Sequence, residues 1–464
     1  MVECPSVLKM EQGAGIGLLA LGLLGCGSSP DPVRLEVYSW WSEEPERLAF
    51  EAAANVHERT HPEVEVLNVA NPNADDQREL LAMHLLAHAP PATFTANIGA
   101  DLLRWSVVDA AERTEPSTSR IRGLTGLFES TGLDRALPPE VASALRVGPS
   151  EVPYGVPINI HRLNVLYYDE QAVSKFESEH AGTRLLDIET LCPRDPETPP
   201  LEVPIAIGAD DDFALILLTF ESVLPALAGP DFYDALFRGE EPAAVTEPGT
   251  FENEVRRALG CVQYLSQSFT LNSETRDWSK AVDQVKHGEA AFTVMGDWAN
   301  GQLGEQLLNG TVQAIPFPKR SELRETFVFT SDTFPLPIGA EHESDAVELL
   351  KTFASEDAQR AFSRVKGSIP ARLGVTSLGP LDAFQSQTQA AFADAEVSKV
   401  LATSGRFPPY YQRDDLAAAL RAMTRRGAGA PELEAALAEF VAMEPLLTLW
   451  QGRLSAGPAR DFSP

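Results

Sequence analysis

The fold is decided by residues 34–70, which read RLEVYSWWSEEPERLAFEAAANVHERTHPEVEVLNVA. Apolar and polar residues alternate over Arg34–Ser39, which is the two-residue period of a β-strand. Ser42 is expected to cap a helix with acidic residues in its first turn, and Pro62 stops that helix. Because Val64–Val69 has strand character again, this stretch predicts a strand, a helix and a second strand.

Strand and helix patterns continue to alternate along the rest of the chain. A second helix is predicted over Asp75–Ala87 and a short third strand over Thr93–Ala96. Further strands are predicted at Leu163–Tyr167, Val203–Ile207, Ala290–Met295 and Thr326–Thr330, and further helices at Asp212–Ala228, Phe251–Ser268 and Asp414–Met443. This order is typical of an α/β protein with a parallel sheet, whose ligands bind at the carboxyl edge.

The length and the charge of the chain limit the functions that it can have. With 464 residues, it is long enough for two or three domains with large cores. Its formal net charge of −30 would repel phosphates, so no nucleic-acid partner is expected. Beyond the N-terminal segment, we find no phosphate-binding loop, nucleophile elbow or paired-cysteine motif, and we expect no cofactor and no metal.

The N-terminal segment predicts export. Ile16–Leu24 is apolar but too short for a permanent membrane span, and it leads directly into Gly25 and Cys26. We expect residues 1–26 to be a lipoprotein signal peptide with its lipobox, Cys26 to carry the lipid, and residues 27–33 to form a tether. The protein would then be periplasmic or at the cell surface, anchored to a membrane by acyl chains. An ordinary cleaved signal is the alternative.

The two remaining cysteines form an even pair in an oxidising compartment. A disulfide between Cys192 and Cys261 would close a loop whose entropy is worth about 4 kcal/mol. Two buried free thiols remain the alternative, because the sequence gives no distance between them.

One motif indicates metal chemistry. His57-Glu58-Arg59-Thr60-His61 matches the zinc-protease pattern, in which both histidines bind metal from one helical face. Pro62 follows directly and moves His61 away from helical geometry. A solvated helix end, with histidines near the negative end of the dipole, is therefore favoured.

The aromatic pair Trp40-Trp41 follows the first strand, at the sheet edge where a ligand is expected. Sugar rings present an apolar face to aromatic rings and a rim of hydroxyls to hydrogen-bonding groups. An exposed tryptophan pair at this edge therefore predicts a surface on which a sugar stacks. We expect one ring to stack and the other to be partly structural. The alternative is that one or both rings fill the core.

Five segments together resemble a known family. They are LEVYSWW (35–41), VPINIHR with NVLYY (156–168), GEAAFTVMGDW (288–298), SDTF (331–334) and KGSIPAR (366–372). In this order they resemble the extracellular solute-binding proteins (family 1) of carbohydrate ABC transporters, closest to the glucose/mannose-binding branch. Each segment is weak alone, but the five in register are specific.

The resemblance implies a periplasmic-binding-protein-like fold with two α/β lobes joined by a multi-strand, type II-like hinge. The first lobe would comprise residues 34–158 and 295–330, and the second residues 159–294 and 331–464. The chain would cross between the lobes near Asn159, Val294 and Ser331. A sugar would bind in the cleft between the lobes and favour their closed arrangement.

The resemblance also implies the ligand-binding residues. Trp40 and Trp41 correspond to the family's ring-stacking pair, and Glu46 to its hydroxyl acceptor on the next helix. Asp332 and Lys366 correspond to charged residues that grip sugar hydroxyls through charge-assisted hydrogen bonds. The predicted set is completed by Thr95, Asn97, Asn159, His161, Trp278, Trp298 and Thr403.

Several positions depart from the family's pattern. Thr95 and Asn97 stand where glutamine and histidine are common, and Thr403 replaces a histidine. The family's lid tryptophan is absent, with Phe213 nearest to its place. Because buried hydrogen bonds set specificity strongly, we expect either a sugar other than glucose or weak binding.

The sequence thus predicts a monomeric, non-enzymatic binding protein that captures a mono- or oligosaccharide and delivers it to the permease of an ABC transporter. Hydrolysis of ATP would belong to another subunit. The alternatives are a sensory receptor of the same fold, a zinc peptidase using His57 and His61, and a glycosidase using Glu46 and Asp332.

Overall fold

The computed structural model describes the chain between residues 32 and 439, with internal gaps. The gaps are 72–73, 107–118, 147–151, 196, 208–214, 239–249, 270–277, 377, 380–381, 403–412 and 426–427. The predicted signal peptide with Cys26, together with Phe213 and Thr403, therefore lies outside the described residues.

The strands are short. In chain order they are β1 (Val33–Ser39), β2 (Val64–Ala70), β3 (Thr93–Phe94), β4 (Ala96–Asn97), β5 (Val156–Pro157), β6 (Asn159–Arg162), β7 (Val165–Asp169), β8 (Phe292–Met295), β9 (Val312–Pro316), β10 (Thr326–Thr330), β11 (Asp332–Phe334), β12 (Ile369–Pro370) and β13 (Ser398–Leu401).

Helices separate most of these strands. They are α1 (Glu44–Glu58), α2 (Ala74–Leu86), α3 (Ala100–Ser106), α4 (Thr125–Thr131), α5 (Leu133–Ala136), α6 (Pro139–Ala144), α7 (Glu170–Glu179), α8 (Ile188–Leu191), α9 (Leu215–Ala228), α10 (Pro230–Arg238), α11 (Thr250–Ser266), α12 (Trp278–Lys286), α13 (Ala299–Asn309), α14 (Glu343–Phe353), α15 (Glu356–Lys366), α16 (Asp382–Ala393), α17 (Arg413–Met423) and α18 (430–439). None of these described helices combines the length and the apolar character needed to cross a membrane.

The first sheet has the predicted parallel arrangement. β1 lies between β2 and β3, with Val33 opposite Val64 and Val37 opposite Thr93. The connection from β1 through α1 to β2 packs α1 onto this sheet and buries Phe50. The alternation read from residues 34–70 is therefore confirmed.

The start of α1 differs from the prediction. The amide of Ser42 donates to the carbonyl of Trp40 at 3.0 Å, which places Ser42 in a turn before the helix. Glu43 occupies the cap position, and its side chain makes no capping hydrogen bond. The prediction that Ser42 caps the helix is therefore wrong.

Two hydrophobic cores divide the described chain into two α/β lobes. The first core contains buried residues between Leu35 and Ile160 and again between Phe327 and Val397. The second core contains buried residues between Leu163 and Phe317 and again from Val400 to Leu437. Each core is formed by short strands covered by helices.

The later boundaries of the predicted lobes differ from these cores. Met295–Phe317 was predicted to belong to the first lobe, but its buried residues pack into the second core. Phe334–Val397 was predicted to belong to the second lobe, but its buried residues pack into the first core. Apolar periodicity predicts that a residue is buried, but it does not identify the core that receives it.

One four-stranded sheet connects the two lobes. Its strand order is β12-β6-β10-β13, with β10 antiparallel to β6 and parallel to β13. Along β10, Phe327 and Phe329 belong to the first core, whereas Val328 belongs to the second. Because successive side chains of a strand point to opposite faces, β10 has one face in each lobe.

The predicted crossing points can be compared with this sheet. Asn159 begins β6, just before the chain passes from Ile160 of the first core to Leu163 of the second. The second passage lies between Phe317 and Phe327, ahead of Ser331, which has first-core residues on both sides. Val294 instead lies within β8 and packs into the second core. The third passage occurs in β13, between Val397 of the first core and Val400 of the second.

The predicted strand Val203–Ile207 does not form. Ile205 makes only isolated bridges, to Phe269 and Phe292. Pro204 lies in the middle of this segment and has no N–H to donate, which interrupts the ladder of hydrogen bonds.

Cys192 and Cys261 are bonded in a disulfide, with Cα atoms 4.7 Å apart. Both cysteines are buried in the second core. The sequence separation of 69 residues makes the enclosed loop long.

Replacing both Cys192 and Cys261 with alanine is expected to lower the free energy of unfolding by about 2–4 kcal/mol, because the crosslink restricts the unfolded chain. Urea denaturation of the two proteins measures this difference, and a reductant should lower only the midpoint of the unsubstituted protein. An unchanged midpoint after complete reduction would contradict the expectation.

Candidate functional site

Asp332 is the centre of a buried polar network at the junction of the lobes. Its Oδ2 accepts hydrogen bonds from Asn159 Nδ2 at 2.8 Å and His161 Nε2 at 3.1 Å. Its amide donates to Asn159 Oδ1 at 2.9 Å. Because β11 pairs with β4, Asn97 lies opposite Asp332. The strands of the junction therefore fix the positions of these four side chains.

Asp297 holds the imidazole of His161 in place. His161 Nδ1 donates a hydrogen bond to Asp297 Oδ1. Asp297 Oδ2 accepts a hydrogen bond from the backbone amide of Arg162 at 3.0 Å. The ring of Trp298 meets the imidazole edge to face, with centroids 5.4 Å apart and planes at 85°. With Nδ1 occupied by Asp297, the Nε2 atom is directed at Asp332.

Opposite charges stabilise each other in this network. Burial alone would lower the pKa of His161, but the charge and hydrogen bond of Asp297 and those of Asp332 raise it to about 9. Burial would likewise raise the pKa of Asp332. The hydrogen bond and charge of His161, with the charge of Lys366, nevertheless hold that pKa below its ordinary value. At neutral pH the network therefore contains an imidazolium ion beside the carboxylate of Asp332.

A second buried ion pair lies on the first lobe. Lys366 Nζ contacts Glu46 Oε1, and the two side chains are 2% and 11% exposed. Glu46 lies in the first turn of α1 and Lys366 ends α15, two helices that pack against each other. The resemblance groups Lys366 with Asp332, whereas the structure pairs it with Glu46. The positive charge of Lys366 nevertheless helps to lower the pKa of Asp332.

The lobes touch directly beside this pair. Asn300, at the start of α13 in the second lobe, donates from Nδ2 to the carbonyl of Gly367 at 3.0 Å. Its Oδ1 accepts from the Tyr167 hydroxyl at 2.7 Å. A Cβ atom on Gly301 would lie only 3.0 Å from Cβ of Pro45. The absence of a side chain at Gly301 thus permits this close contact between lobes.

Two of the predicted aromatic residues, Trp298 and Trp278, lie near the junction, and a third, Trp40, packs against the first core. Trp298 is buried beside His161, and its ring centroid is 6.5 Å from that of Trp278 at 83°. Trp40 is half-buried, with the guanidinium of Arg78 5.4 Å above its ring. These rings can offer apolar surface next to the charged network.

Trp41 is the fully buried member of the pair Trp40-Trp41. It has no exposed surface and packs in the first core, with ring centroids 6.1, 5.8 and 5.1 Å from those of Phe50, Phe334 and Phe362. Aromatic packing from α1, β11 and α15 surrounds the ring. Trp41 is therefore the structural ring of the pair, and Trp40 is the partly exposed one.

The two substituted positions that the structure describes are both buried. Asn97 Oδ1 accepts a hydrogen bond from Thr330 Oγ1 at 3.2 Å, and the Asn97 amide donates to Asp101 Oδ2 at 3.0 Å. Thr95 is 5% exposed, and its hydroxyl has no hydrogen-bond partner among the described residues. Asn97 therefore lies beside the network, opposite Asp332 in the neighbouring strand, with its own hydrogen bonds to Thr330 and Asp101. Thr95 lies on the adjacent backbone segment.

Sequence reasoning missed two residues of this site. Asp297 orients His161, and Asn300 connects the lobes, yet neither was predicted to be functional. Asp297 lies within the segment GEAAFTVMGDW, on which part of the resemblance rests, and Asn300 follows shortly after its end. A buried aspartate in that segment was the available signal.

His57 and His61 do not form a metal site. His57 is fully buried, and its Nδ1 atom lies 2.9 Å from the Thr352 hydroxyl. The imidazoles of His57 and His61 stack with centroids 4.2 Å apart. The Glu58 carboxylate accepts a hydrogen bond from the backbone amide of Val66. The described residues contain no group of three histidine, cysteine or acidic side chains able to hold a metal ion.

The two buried histidines, His57 and His161, are expected to affect protein stability in opposite directions as the pH changes. Burial and the charge of His61 lower the pKa of His57 to about 4, so its stabilisation is lost as pH falls from 6.5 towards 4. The raised pKa of His161 has the reverse effect, and its stabilisation is lost as pH rises from 6.5 towards 9.

Urea denaturation across this pH range tests both histidines. His57→Gln should reduce the loss of unfolding free energy on the acid side, and His161→Asn should reduce the loss on the alkaline side. The expectation fails if each variant retains the pH slope of the unsubstituted protein.

The two lobes and the buried charged network between them define a two-lobed α/β solute-binding fold. The chain belongs to the family of bacterial extracellular solute-binding proteins, whose family model matches residues 51–393. This confirms the resemblance drawn from the sequence. The family is extracellular, which agrees with the predicted export.

Similar proteins support the same assignment. An uncharacterised ABC transporter extracellular-binding protein of Pyrococcus horikoshii is 28% identical over 77% of this chain and 78% of its own length. A probable sugar-binding periplasmic protein of Brucella suis is 24% identical over 84% of this chain and 86% of its own. The solved structure of the bacterial solute receptor AcbH matches 89% of this chain and 99% of its own, with a TM-score of 0.69 and 16% identity. The matched family and these relatives are binding proteins.

Proposed function

We propose that this protein captures a neutral carbohydrate at the junction of its lobes and delivers it to the membrane permease of an ABC transporter. The observation that carries this proposal is the Asp332 network, in which a carboxylate and an imidazolium are fixed side by side at the boundary between the cores. The sugar-binding names of several relatives support the ligand class.

The charges of the site favour hydroxyl groups over ions. Three buried carboxylates, those of Asp297, Asp332 and Glu46, face two cations, those of His161 and Lys366. An anionic ligand would meet an excess of negative charge, whereas a sugar hydroxyl can both donate to a carboxylate and accept from a cation. Hydrogen bonds that involve a charged group are roughly twice as strong as neutral ones. Trp298 adds an apolar surface for the C–H face of the ring.

The ligand differs from glucose or binds more weakly than glucose does in the glucose/mannose branch. Thr95 and Asn97 have shorter side chains than the residues common at these positions, which leaves space and removes hydrogen bonds. The receptor AcbH, which shares the fold, is described as having an exclusive preference for β-D-galactopyranose. A monosaccharide other than glucose, or a short oligosaccharide, fits these substitutions.

Closure of the lobes brings both sides of the site to the ligand. In this account Asn300 and Gly367 form the contact that the closed arrangement makes and the open arrangement breaks. A ligand that touches both lobes stabilises the closed arrangement, which the permease then recognises. We also propose that the protein is monomeric and is anchored through a lipid on Cys26.

Gly301→Val is expected to weaken sugar binding by about 1–3 kcal/mol, the usual cost of overpacking, because the new side chain would press on Pro45 and the Val365 carbonyl. Small-angle scattering should then give a larger radius of gyration in the presence of saturating sugar. Gly304→Val is the matched control, since a Cβ atom at Gly304 in the same helix meets no atom within 4 Å. Equal behaviour of the two variants would contradict the closure contact.

A thermal-shift screen against mono- and disaccharides tests the proposed function. A sugar present at 100 times its dissociation constant should stabilise the protein by roughly 2.7 kcal/mol. Amino acids and divalent metal salts serve as comparison ligands. Stabilisation by an amino acid or a metal, with no response to any saccharide, would exclude the carbohydrate proposal.

A further inference from the structure

Arg78 and Asp101 form a buried ion pair in the first lobe. Arg78 lies near the start of α2 and Asp101 near the start of α3, and Arg78 Nε is 3.5 Å from Asp101 Oδ1. The two side chains are 8% and 1% exposed, so solvent screens the two charges little. The pair therefore joins two helices of this lobe through opposite charges.

The guanidinium of Arg78 also contacts the ring of Trp40. Its Cζ atom lies 5.4 Å from the ring centroid, which is within the range of a cation–π interaction. Trp40 directly follows β1 and is half-buried, so part of its side chain is open to solvent. Asp101 thus holds the guanidinium, and the guanidinium in turn restricts the position of a partly exposed ring.

Asp101 also connects this pair to the junction of the lobes. Its Oδ2 atom accepts a hydrogen bond from the backbone amide of Asn97 at 3.0 Å. Asn97 lies opposite Asp332 in the pairing of β4 with β11. The same carboxylate therefore contacts both the guanidinium beside Trp40 and the strand that adjoins the Asp332 network.

Trp40 lies at the carboxyl edge of the first sheet. The backbone amide of Thr95 donates to the carbonyl of Tyr38 at 2.9 Å, which places the segment leading to Asn97 beside the end of β1. Ligands of open α/β sheets bind outside the carboxyl ends of the strands. A partly exposed indole at this edge offers an apolar surface that the C–H face of a sugar can cover.

Stability alone does not explain a buried guanidinium at this position. Removing two charges from water is costly, and replacing a buried ion pair with apolar residues of similar volume is often neutral or stabilising. Arg78 instead has a specific neighbour, the ring of Trp40, whose orientation matters for stacking. A role in fixing that ring accounts for the cation.

We infer that Arg78 is a positioning residue for sugar binding, which fixes the Trp40 ring at the edge of the site, and that Asp101 fixes Arg78. This inference rests on the proposed function, because it adds a residue to the same sugar site. Arg78 acts through Trp40 and makes no contact with the sugar itself.

A double-variant cycle tests this inference. Titration calorimetry measures the affinity of the unsubstituted protein, Trp40→Ala, Arg78→Met and the variant with both changes. The probe is the sugar that stabilises the protein most in the thermal-shift screen, which includes glucose, galactose and maltose. We expect the dissociation constant to rise about tenfold in Trp40→Ala and about threefold or more in Arg78→Met. The variant with both changes should bind no more weakly than Trp40→Ala, because Arg78 acts through that ring.

Two further variants complete the cycle. Arg78→Lys retains a cation that the ring face attracts, so it should bind the sugar more tightly than Arg78→Met. Arg34→Met is the matched control and should bind with unchanged affinity. Arg34 is also paired with a carboxylate, that of Glu65 at 3.0 Å, but it lies near the opposite end of β1.

The cycle does not depend on the folding of Arg78→Met, in which Asp101 is left buried without its cation. If that variant does not fold, Arg78→Met combined with Asp101→Asn takes its place, because no isolated charge then remains. The asparagine oxygen can still accept the hydrogen bond from the backbone amide of Asn97.

The outcomes distinguish this inference from the proposed function. If the sugar binds but Trp40→Ala or Arg78→Met retains full affinity, the inference is overturned and the proposed function stands. The inference is likewise overturned if the two losses multiply in the combined variant, or if Arg78→Lys binds no better than Arg78→Met. If the unsubstituted protein binds no saccharide of the screen, both proposals fail.

Discussion

Replacing Asp332 with alanine is expected to reduce the affinity for sugar by about 2–5 kcal/mol of binding free energy, because it truncates one partner of a buried, hydrogen-bonded charge pair. The variant loses the acceptor for ligand hydroxyls and leaves the protonated His161 facing a space without its partner. Titration calorimetry, with the best sugar from the thermal-shift screen, measures the change.

The Asp332→Asn variant distinguishes the effect of losing the charge from the effect of losing folded structure. Asparagine retains an oxygen that can accept from Asn159 and His161, so the strand contacts are expected to persist while the charge is lost. Glu65→Gln is the control, because Glu65 is an exposed carboxylate of the same lobe, paired with Arg34. If folded Asp332→Ala binds the sugar with unchanged affinity, the network is not the ligand site.

Lys366→Met is expected to lower the free energy of unfolding by roughly 3–5 kcal/mol, because it leaves the carboxylate of Glu46 buried without its cation. The lysine side chain is only 2% exposed, so solvent cannot replace its charge. Equilibrium denaturation in urea measures the loss. The double variant Glu46→Gln with Lys366→Met should recover most of it, because no isolated charge remains.

The surface pair of Lys351 and Glu348 provides the comparison for this variant. Their side chains are 37% and 48% exposed, and pairs of this kind contribute no more than about 1 kcal/mol. Lys351→Met should therefore be nearly neutral. If Lys366→Met lowers the free energy of unfolding by as little as Lys351→Met does, the role assigned to the buried pair is contradicted.

The opening of the fold could be predicted because its signals are local. The alternation over Arg34–Ser39 and the helix before Pro62 require only neighbouring residues, and the parallel register follows from the connection between them. The division of the lobes could not be predicted in the same way. Phe327 and Val328 are adjacent and equally apolar, yet they pack into different cores. Only the strand's position between the lobes decides which core receives each side chain.

The candidate site was predictable in its members but not in its pairings. Asp332, His161 and Lys366 were predicted from short motifs, because such motifs preserve residue types. Their partners are 136 and 320 residues away, at Asp297 and Glu46, and no local pattern connects positions at that separation. The complete burial of Trp41 could not be predicted for a related reason, because it depends on rings supplied from β11 and α15.

The two-faced character of β10 limits how this molecule can be dissected. A recombinant fragment containing only the residues of one core would either lack the strand or expose its other face, with phenylalanine rings on one side and valine on the other. Neither half is therefore a natural unit for separate expression. The hinge strand makes the two halves structurally interdependent even though each has an interior of its own.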